Sequence, residues 1–249
     1  MLPVFGKPER SLIIRENKKR TMEAMASTKR IFLLRHGQGY HNSTGRDIPD
    51  AMLTDSGITQ AKSWSKDIQK FNIELVLVSP LRRTLQTACY AFSASQTKMR
   101  PCRHAREMWW NEDVNNFSPL SEVEKLLLAL PRGKELLFMD HDGTAAEEKH
   151  QVDKDAVTTR TTLLTEALRD HPGQPQGEHE SLGRLRDVLK DLEEERVAVV
   201  THWGVINQLA RASANNCDLV ECEMRVIAGK RVDFKVVKVH PPPGGPETS

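Results

Sequence analysis

In this sequence of 249 residues, two short motifs place a histidine just after an apolar run, with one residue between them. Arg35-His36 follows the apolar residues 31–34, and Thr201-His202 follows the apolar residues 197–200. An imidazole beside a permanent guanidinium is costly to bury unless an anion lies between the two groups. The natural anion is a phosphoryl group, because planar guanidiniums bind its oxygens bidentately and an imidazole can attack its phosphorus. We therefore predict phosphoryl-transfer chemistry at these motifs.

Two further groups complete this chemistry. Arg83 comes shortly after the apolar run 75–78 and adds a second guanidinium for the phosphate oxygens. An alkoxide leaves poorly unless it is protonated, so a carboxylic acid should face the same pocket. Glu107, just past a possible strand at 99–105, is the candidate proton donor, and Glu112 or Asp113 could replace it.

The order of the apolar patterns predicts how these residues are positioned. Strands at 31–34 and 75–78 are each followed by a helical pattern, at 57–71 and 81–92. This alternation predicts parallel strands with helices on both faces, whose carboxyl ends meet at one edge. We therefore expect an α/β fold, a three-layer α/β/α sandwich with a mainly parallel central sheet. Further patterns predict helices at 121–130, 155–169, 182–192 and 205–212, a strand or helix end at 136–139, a strand at 197–200, and a hairpin of 223–227 with 232–239.

Composition limits the classes of function. The 36 basic and 34 acidic residues give a net charge of +2, which does not favour a nucleic-acid partner. Four cysteines without a CxxC spacing indicate reduced thiols, and no apolar run is long enough for a membrane helix. We expect a cytoplasmic protein that acts on a small phosphomonoester, with no membrane partner; the oligomeric state stays open. One domain is expected at 29–240 with a variable insertion around 109–151, between a poorly ordered extension at 1–28 and a disordered tail at 241–249.

Four segments in order, 34–42, 53–61, 79–88 and 200–204, resemble the motifs of the histidine phosphatase superfamily, the phosphoglycerate-mutase-like proteins. The resemblance covers roughly residues 30 to 212. It implies no cofactor, no metal and a phosphohistidine intermediate. Matched by position, it implies that His36 is the phosphorylated histidine, that Arg35, Arg83 and His202 bind the phosphate, that Asn42 lines the pocket, and that Glu107 donates the proton. Arg82 is expected to point elsewhere.

The departures from the family pattern narrow the resemblance. Gln38-Gly39 stands where glycolytic mutases have Glu-Ser, and the segment after Glu107 lacks their substrate-binding sequence. The sequence is therefore more similar to the plant and fungal phosphatase-like branch, which favours a phosphatase over a phosphoglycerate-type mutase. Trp203 replaces the usual glycine after the second histidine and is expected to narrow the pocket or to offer an aromatic surface.

Two other interpretations remain open beside the mutase. Residues 136–144 fit the aspartate-nucleophile motif of haloacid-dehalogenase-type phosphatases, in which Asp140 would attack with magnesium. Alternatively, the chain binds phosphorylated ligands without turnover, because the acid has been lost. A metal held by His36 and His41 lacks a strong ligand spacing, and His41 is expected at the surface.

Overall fold

A single six-stranded sheet organises the part of the chain that the structure describes. This computed structural model describes residues 27–107, 112–138, 163–168, 178–227 and 231–244. The strand order is β3-β2-β4-β1-β5-β6. The strands are β1 (Ser27–Arg35), β2 (Leu75–Val78), β3 (Lys98–Pro101), β4 (Arg196–Thr201), β5 (Leu219–Ile227) and β6 (Arg231–His240).

Helices follow most of the strands, as the sequence pattern predicts. A short 3₁₀ turn at Ile68–Phe71 extends α2. A second one, at Arg103–Ala105, follows β3. The α-helices are α1 (Tyr40–Thr44), α2 (Asp55–Asp67), α3 (Arg82–Ala91), α4 (Glu112–Asn115), α5 (Leu120–Leu128), α6 (Gly133–Leu137), α7 (Leu163–Leu168), α8 (Glu178–Asp191) and α9 (Trp203–Ala210).

The central strands are parallel and buried on both faces. β1 pairs in parallel with β4, β4 with β2, and β2 with β3, while β5 and β6 add an antiparallel edge beside β1. Along β1, Phe32 and Leu34 pack into one core, and Ile31 and Leu33 pack into the other. Successive side chains of a strand point to opposite faces, so a continuous apolar run serves two cores. The predicted three-layer α/β fold is confirmed.

Local sequence signals explain where α2 begins. Thr54 is its N-cap, and its side-chain hydroxyl oxygen accepts a hydrogen bond from the backbone N–H of Gly57 at 3.1 Å. Such a cap satisfies a donor that the helix itself leaves unpaired. The buried face of α2 includes Trp64, whose indole Nε1 donates to the carbonyl oxygen of Cys217 at 2.8 Å. This bond ties α2 to the segment that precedes β5.

Some boundaries differ from the predicted ones. β3 ends at Pro101, and residues 103–105 turn as a 3₁₀ helix instead of extending the strand to 105. In the ambiguous segment 136–139, Leu136 and Leu137 form the end of α6 rather than a strand, and residue 139 lies outside the described ranges. In the described ranges, no helix is long and apolar enough to cross a membrane. Of the predicted extension, insertion and tail, residues 1–26, 109–111, 139–151 and 245–249 lie outside these ranges.

Candidate active site

A cavity of about 300 Å³ opens at the carboxyl edge of the parallel strands. Most of the predicted site residues line it, although they come from four separate stretches of the chain. Parallel strands deliver their following loops to one edge of the sheet, which explains the convergence. The lining residues are Arg35, His36, His41, Asn42, Gly45, Arg46, Asp47, Arg83, Glu107, Val114, Asn115 and Trp203.

His36 is held in one orientation at the end of β1. Its backbone N–H donates to the carbonyl oxygen of Thr201 in β4 at 3.0 Å, which continues the strand pairing by one residue. Its side-chain Nδ1 lies 2.7 Å from the carbonyl oxygen of Gly37. A carbonyl oxygen can only accept, so Nδ1 carries the proton and Nε2 keeps its lone pair. The ring is therefore in the tautomer that a nucleophilic Nε2 requires.

The loop after His36 lies against the first turn of α2 at a backbone-to-backbone contact. A Cβ on Gly37 would lie 2.5 Å from the carbonyl oxygen of Gly57, and a Cβ on Gly57 would lie 2.1 Å from that of Gln38. No side chain fits at either position. At Gly37, the glycine is thus needed for the contact between loop and helix.

His202 stands beside His36 and is fully buried. The two ring centroids are 5.2 Å apart, and His202 Nε2 lies 2.8 Å from the Ser79 hydroxyl oxygen. The other nitrogen, Nδ1, is buried and has no hydrogen-bond partner within the described ranges. Ser79 follows β2 and His202 follows β4, so the neighbouring strands bring this pair together.

Two arginines flank the histidines with neutral hydrogen-bond partners. Arg35 Nη1 donates to the carbonyl oxygen of Ala214 at 2.7 Å. Arg83 Nη2 donates to Asn115 Oδ1 at 2.8 Å, and its Nη1 donates to the carbonyl oxygen of Val114 at 3.3 Å. Among the residues described, the buried Nε atoms of both arginines have no partner. These donors are oriented by the protein and retain capacity for an anionic ligand.

Burial and mutual repulsion shape the titration of this cluster. Burial, and then the charges of Arg83 and Arg35, hold the pKa of His36 well below its ordinary value. The pKa of the His202 imidazole is also well below its ordinary value, from burial first and Arg83 second. Burial lowers the pKa of Arg83 to about 10. The imidazoles are therefore neutral at pH 7, while the guanidinium remains charged.

Glu107 places a carboxylate on the cavity wall. Its Oε1 accepts a hydrogen bond from the backbone N–H of Gly204, in the first turn of α9, at 3.1 Å. The segment before it is anchored because the Thr201 hydroxyl donates to the carbonyl oxygen of Ala105 at 2.7 Å. The charge of Glu107 raises the pKa of both Arg35 and Arg83, although burial outweighs this effect. The alternative acids Glu112 and Asp113 lie on the short helix α4.

Other predicted positions have clear placements. Asn42 lines the cavity, and its Oδ1 accepts from the backbone N–H of Gly39 at 3.0 Å. Trp203 contributes the aromatic wall that the sequence indicated. Arg82 points away from the cavity lining, as expected, and its Nε lies 3.4 Å from Asp50 Oδ2. Asp140, the nucleophile of the alternative phosphatase motif, lies outside the described residues.

Sequence reasoning missed several cavity residues, and for His41 the prediction was wrong. We expected His41 at the surface, but it lines the cavity with its ring centroid 5.5 Å from that of His36. Its place five residues after His36, next to Asn42, was the available signal. Asn115 and Val114 carried no such signal, because their contacts with Arg83 join segments that are distant in the chain. Over the ranges that the structure describes, no group of three or more potential metal ligands occurs.

Comparison with known proteins agrees with this arrangement. Residues 31–126 match the sequence profile of the "Histidine phosphatase superfamily (branch 1)". The chain is 28% identical over 251 aligned residues to phosphoglycerate mutase-like protein 2 of Arabidopsis thaliana, covering 79% of this chain and 73% of that protein. It is 37% identical over 76 residues to a probable phosphatase of Schizosaccharomyces pombe, covering 28% and 35% of the two chains.

A structural comparison supports the fold. A mycobacterial glucosyl-3-phosphoglycerate phosphatase, solved in complex with VO3, has a TM-score of 0.51 at 17% sequence identity. The match covers 84% of this chain and 98% of that chain. The motifs, the profile match over residues 31–126 and the similarity to plant and fungal proteins together support the histidine phosphatase superfamily for this chain.

Proposed function

We propose that this protein is a metal-independent phosphomonoester hydrolase that works through a phosphohistidine at His36. The observation that carries the proposal is the His36 ring: its Nδ1 donates to a backbone carbonyl, and its neutral Nε2 stands in a cavity with two guanidiniums. An imidazole in this state is a nucleophile without prior proton removal. The fixed positive charge of the arginines can stabilise the transition state without a metal.

In the first step, His36 Nε2 attacks the phosphorus and the bond from phosphorus to the leaving oxygen breaks. Glu107, entering this step as the neutral acid, gives its proton to that oxygen, so an alcohol departs. Arg35 and Arg83 bind the equatorial oxygens, on which charge accumulates. His202 supports the same oxygens through Nδ1–H, a tautomer that requires its Nε2 to accept from the Ser79 hydroxyl.

In the second step, water replaces the alcohol. Glu107, now a carboxylate, takes a proton from the water as the water oxygen attacks phosphorus. The bond from phosphorus to His36 Nε2 breaks, which restores the lone pair and releases inorganic phosphate. After the second step, the imidazole is again free and neutral, and Glu107 again carries its proton.

The cavity favours a small phosphorylated molecule. Its volume of about 300 Å³ accommodates a phosphoryl group and a modest leaving group, and Trp203 supplies an apolar wall for the latter. The named relatives of the chain include a phosphoglycerate mutase-like protein and a probable phosphatase. We expect neither nucleic acid nor membrane as a partner. Four free, buried cysteines support a reducing compartment such as the cytoplasm.

Two alternatives differ from hydrolysis in the fate of the phosphoryl group. A mutase would return it to a bound sugar or acid, and a binding module would not transfer it. The position of Glu107 on the cavity wall favours turnover over binding alone, since a general acid there can protonate a leaving group. The sequence at 38–39 and after Glu107 differs from that of glycolytic mutases, which favours transfer of the phosphoryl group to water over transfer to a second substrate.

The test combines the nucleophile with metal removal. The full chain is incubated with p-nitrophenyl phosphate in EDTA, alongside His36→Asn and the matched variant His104→Asn, which removes a histidine outside the cavity lining. We expect turnover in EDTA for the wild type and His104→Asn, and a loss of at least about 10³-fold for His36→Asn. Undiminished turnover by His36→Asn contradicts the proposal, and so does activity that returns only with added magnesium.

A further inference from the structure

The cavity contains a third imidazole for which the phosphoryl-transfer steps above have no role. His41 lies in the short helix α1, is half-buried, and lines the same cavity as His36. Its ring centroid lies 5.5 Å from that of His36. The guanidiniums of Arg83 and Arg35 act on it too, and with burial they lower the pKa of His41 to about 4. The ring therefore shares the neighbourhood in which the two arginines would bind phosphoryl oxygens.

The surroundings of the ring indicate which nitrogen carries its proton. His41 Nδ1 is buried and has no hydrogen-bond partner in the described part of the chain. It packs against Gly39, where a Cβ would lie only 2.7 Å from both Nδ1 and Cε1. Protonating Nδ1 would bury an N–H without an acceptor, whereas a bare lone pair there is less costly. The neutral tautomer with its proton on Nε2 is the one that this packing favours.

The charged and titratable groups near His41 do not favour a cation. Arg35 and His36 approach from the end of β1, Arg83 from α3, and His202 from the end of β4. Arg46 and Asp47 follow in its own loop, and Glu107 lies on the cavity wall. The two guanidiniums act most strongly after burial, so the imidazole stays uncharged at neutral pH.

We propose that His41 is a phosphate-binding residue: as a neutral imidazole, it donates a hydrogen bond from Nε2 to an oxygen of the bound phosphoryl group, and Gly39 provides the space for its ring. This inference rests on the proposed function, because it assumes that the cavity binds a phosphoryl group. It also explains a departure noted in the sequence. Any residue larger than glycine at position 39 would displace the ring and remove this donor.

Gly39 allows a test that leaves the imidazole in the chain. Its backbone has φ of −94° and ψ of 163°, an extended conformation that alanine adopts without strain. Gly39→Ala should therefore act through the His41 ring, which its Cβ would push aside. If the two residues form one unit, the effects of Gly39→Ala and His41→Phe should not add.

The experiment measures binding of inorganic phosphate to the full chain by isothermal titration calorimetry, which needs no turnover. We expect His41→Phe, which keeps an aromatic ring but lacks the donor, to weaken binding about tenfold or more. Gly39→Ala should weaken it similarly, and the double variant should match the single ones within about twofold. Because a neutral donor takes up no proton, the ratio of wild-type to His41→Phe affinity should stay constant from pH 6 to pH 8.

Each other result has a definite meaning. If the wild type and His41→Phe bind phosphate with equal affinity, the inference is overturned and the proposed function stays intact. A ratio that rises about tenfold per pH unit towards acid overturns the neutral donor, since it shows that the bound His41 is a cation. Additive losses in the double variant overturn the role of Gly39. If the wild type itself does not bind phosphate, the inference fails, while turnover of p-nitrophenyl phosphate in EDTA decides the proposed function separately.

Discussion

Acid should destabilise this fold steeply, because three neutral imidazoles are packed around its cavity. The pKa values of His36 and His202 lie well below the ordinary value, and that of His41 is lowered to about 4. In the unfolded chain, each histidine titrates near its ordinary pKa of about 6.5. Below that pH, the unfolded state binds protons that the folded state does not. Stability is therefore full above about pH 6.5 and is lost as the pH falls.

The size of the effect follows from the number of protons. For each histidine that stays neutral in the folded state, the free energy of unfolding falls by about 1.6 kcal/mol between pH 6.5 and pH 5.0. Three of them lower the free energy of unfolding by about 4 to 5 kcal/mol, where His41 is discounted because it is partly exposed. Domains of this kind have a total stability of about 5 to 15 kcal/mol. The cavity histidines alone thus account for a large part of the acid sensitivity.

The measurement is urea unfolding at pH 5.0 and pH 6.5, followed by tryptophan fluorescence, since Trp64 is buried in the core. The wild type is compared with His36→Asn, which should lose about 1.6 kcal/mol less between the two values. His240→Asn, which removes a histidine paired with Glu221 outside the cavity, serves as the matched control. Subtracting variants cancels the carboxylates that titrate in the same range.

The reasoning is refuted if wild type and His36→Asn lose the same free energy of unfolding between pH 6.5 and pH 5.0, within about 0.3 kcal/mol. His36 would then be protonated in the folded protein, and the argument for a neutral nucleophile would fail with it. Added phosphate is a second check on the same reasoning. A dianion beside the imidazoles raises their pKa, so saturating phosphate should reduce the acid-induced loss.

Three further predictions follow from contacts at the site. Glu107→Gln should lower kcat about 10² to 10⁴-fold for an alkyl phosphate, and far less for p-nitrophenyl phosphate, whose leaving group needs no proton; equal losses for both substrates would exclude an acid role. Ser79→Ala removes the hydroxyl that lies 2.8 Å from His202 Nε2, so kcat/KM should fall about tenfold and its pH profile should shift. An unchanged pH profile would mean that Ser79 does not set the tautomer of His202. Gly57→Ala, whose Cβ would lie 2.1 Å from a backbone oxygen, should destabilise the fold by about 2 kcal/mol or more. Gly183→Ala, in open space on α8, should instead stabilise the fold by about 0.5 to 1 kcal/mol. Urea unfolding measures both changes, and equal effects would contradict the contact at Gly57.

The positions of the principal residues could be predicted because they depend on strand ends. Apolar runs such as 197–200 are long enough to mark buried strands, and alternation with helices makes those strands parallel. Arg35, His36 and His202 therefore had to emerge at one edge of the sheet, whatever the detailed packing. Arg83 joined them because α3 begins directly after β2. Their catalytic roles remain proposals.

The rest of the site depends on contacts between distant segments. Ser79 meets His202 across 123 positions of sequence, and Asn115 meets Arg83 through a short helix with no strong pattern. The exchange of hydrogen bonds between such loops leaves no periodic signal in the sequence. Glu107 was predicted from its place after β3, but its contact with the first turn of α9 could not be foreseen.

The sequence by itself thus determined the α/β class, the strand ends and the imidazole and guanidinium groups that they deliver, because hydrophobic periodicity and parallel topology are local and geometric. Only the tertiary structure decided that His41 faces the cavity. Its helix has only five residues, too few for an amphipathic pattern, and its direction is set by the turn at Gly39, which pairs with Leu53. The protonation states were decided there as well, since burial and the two neighbouring guanidiniums determine them.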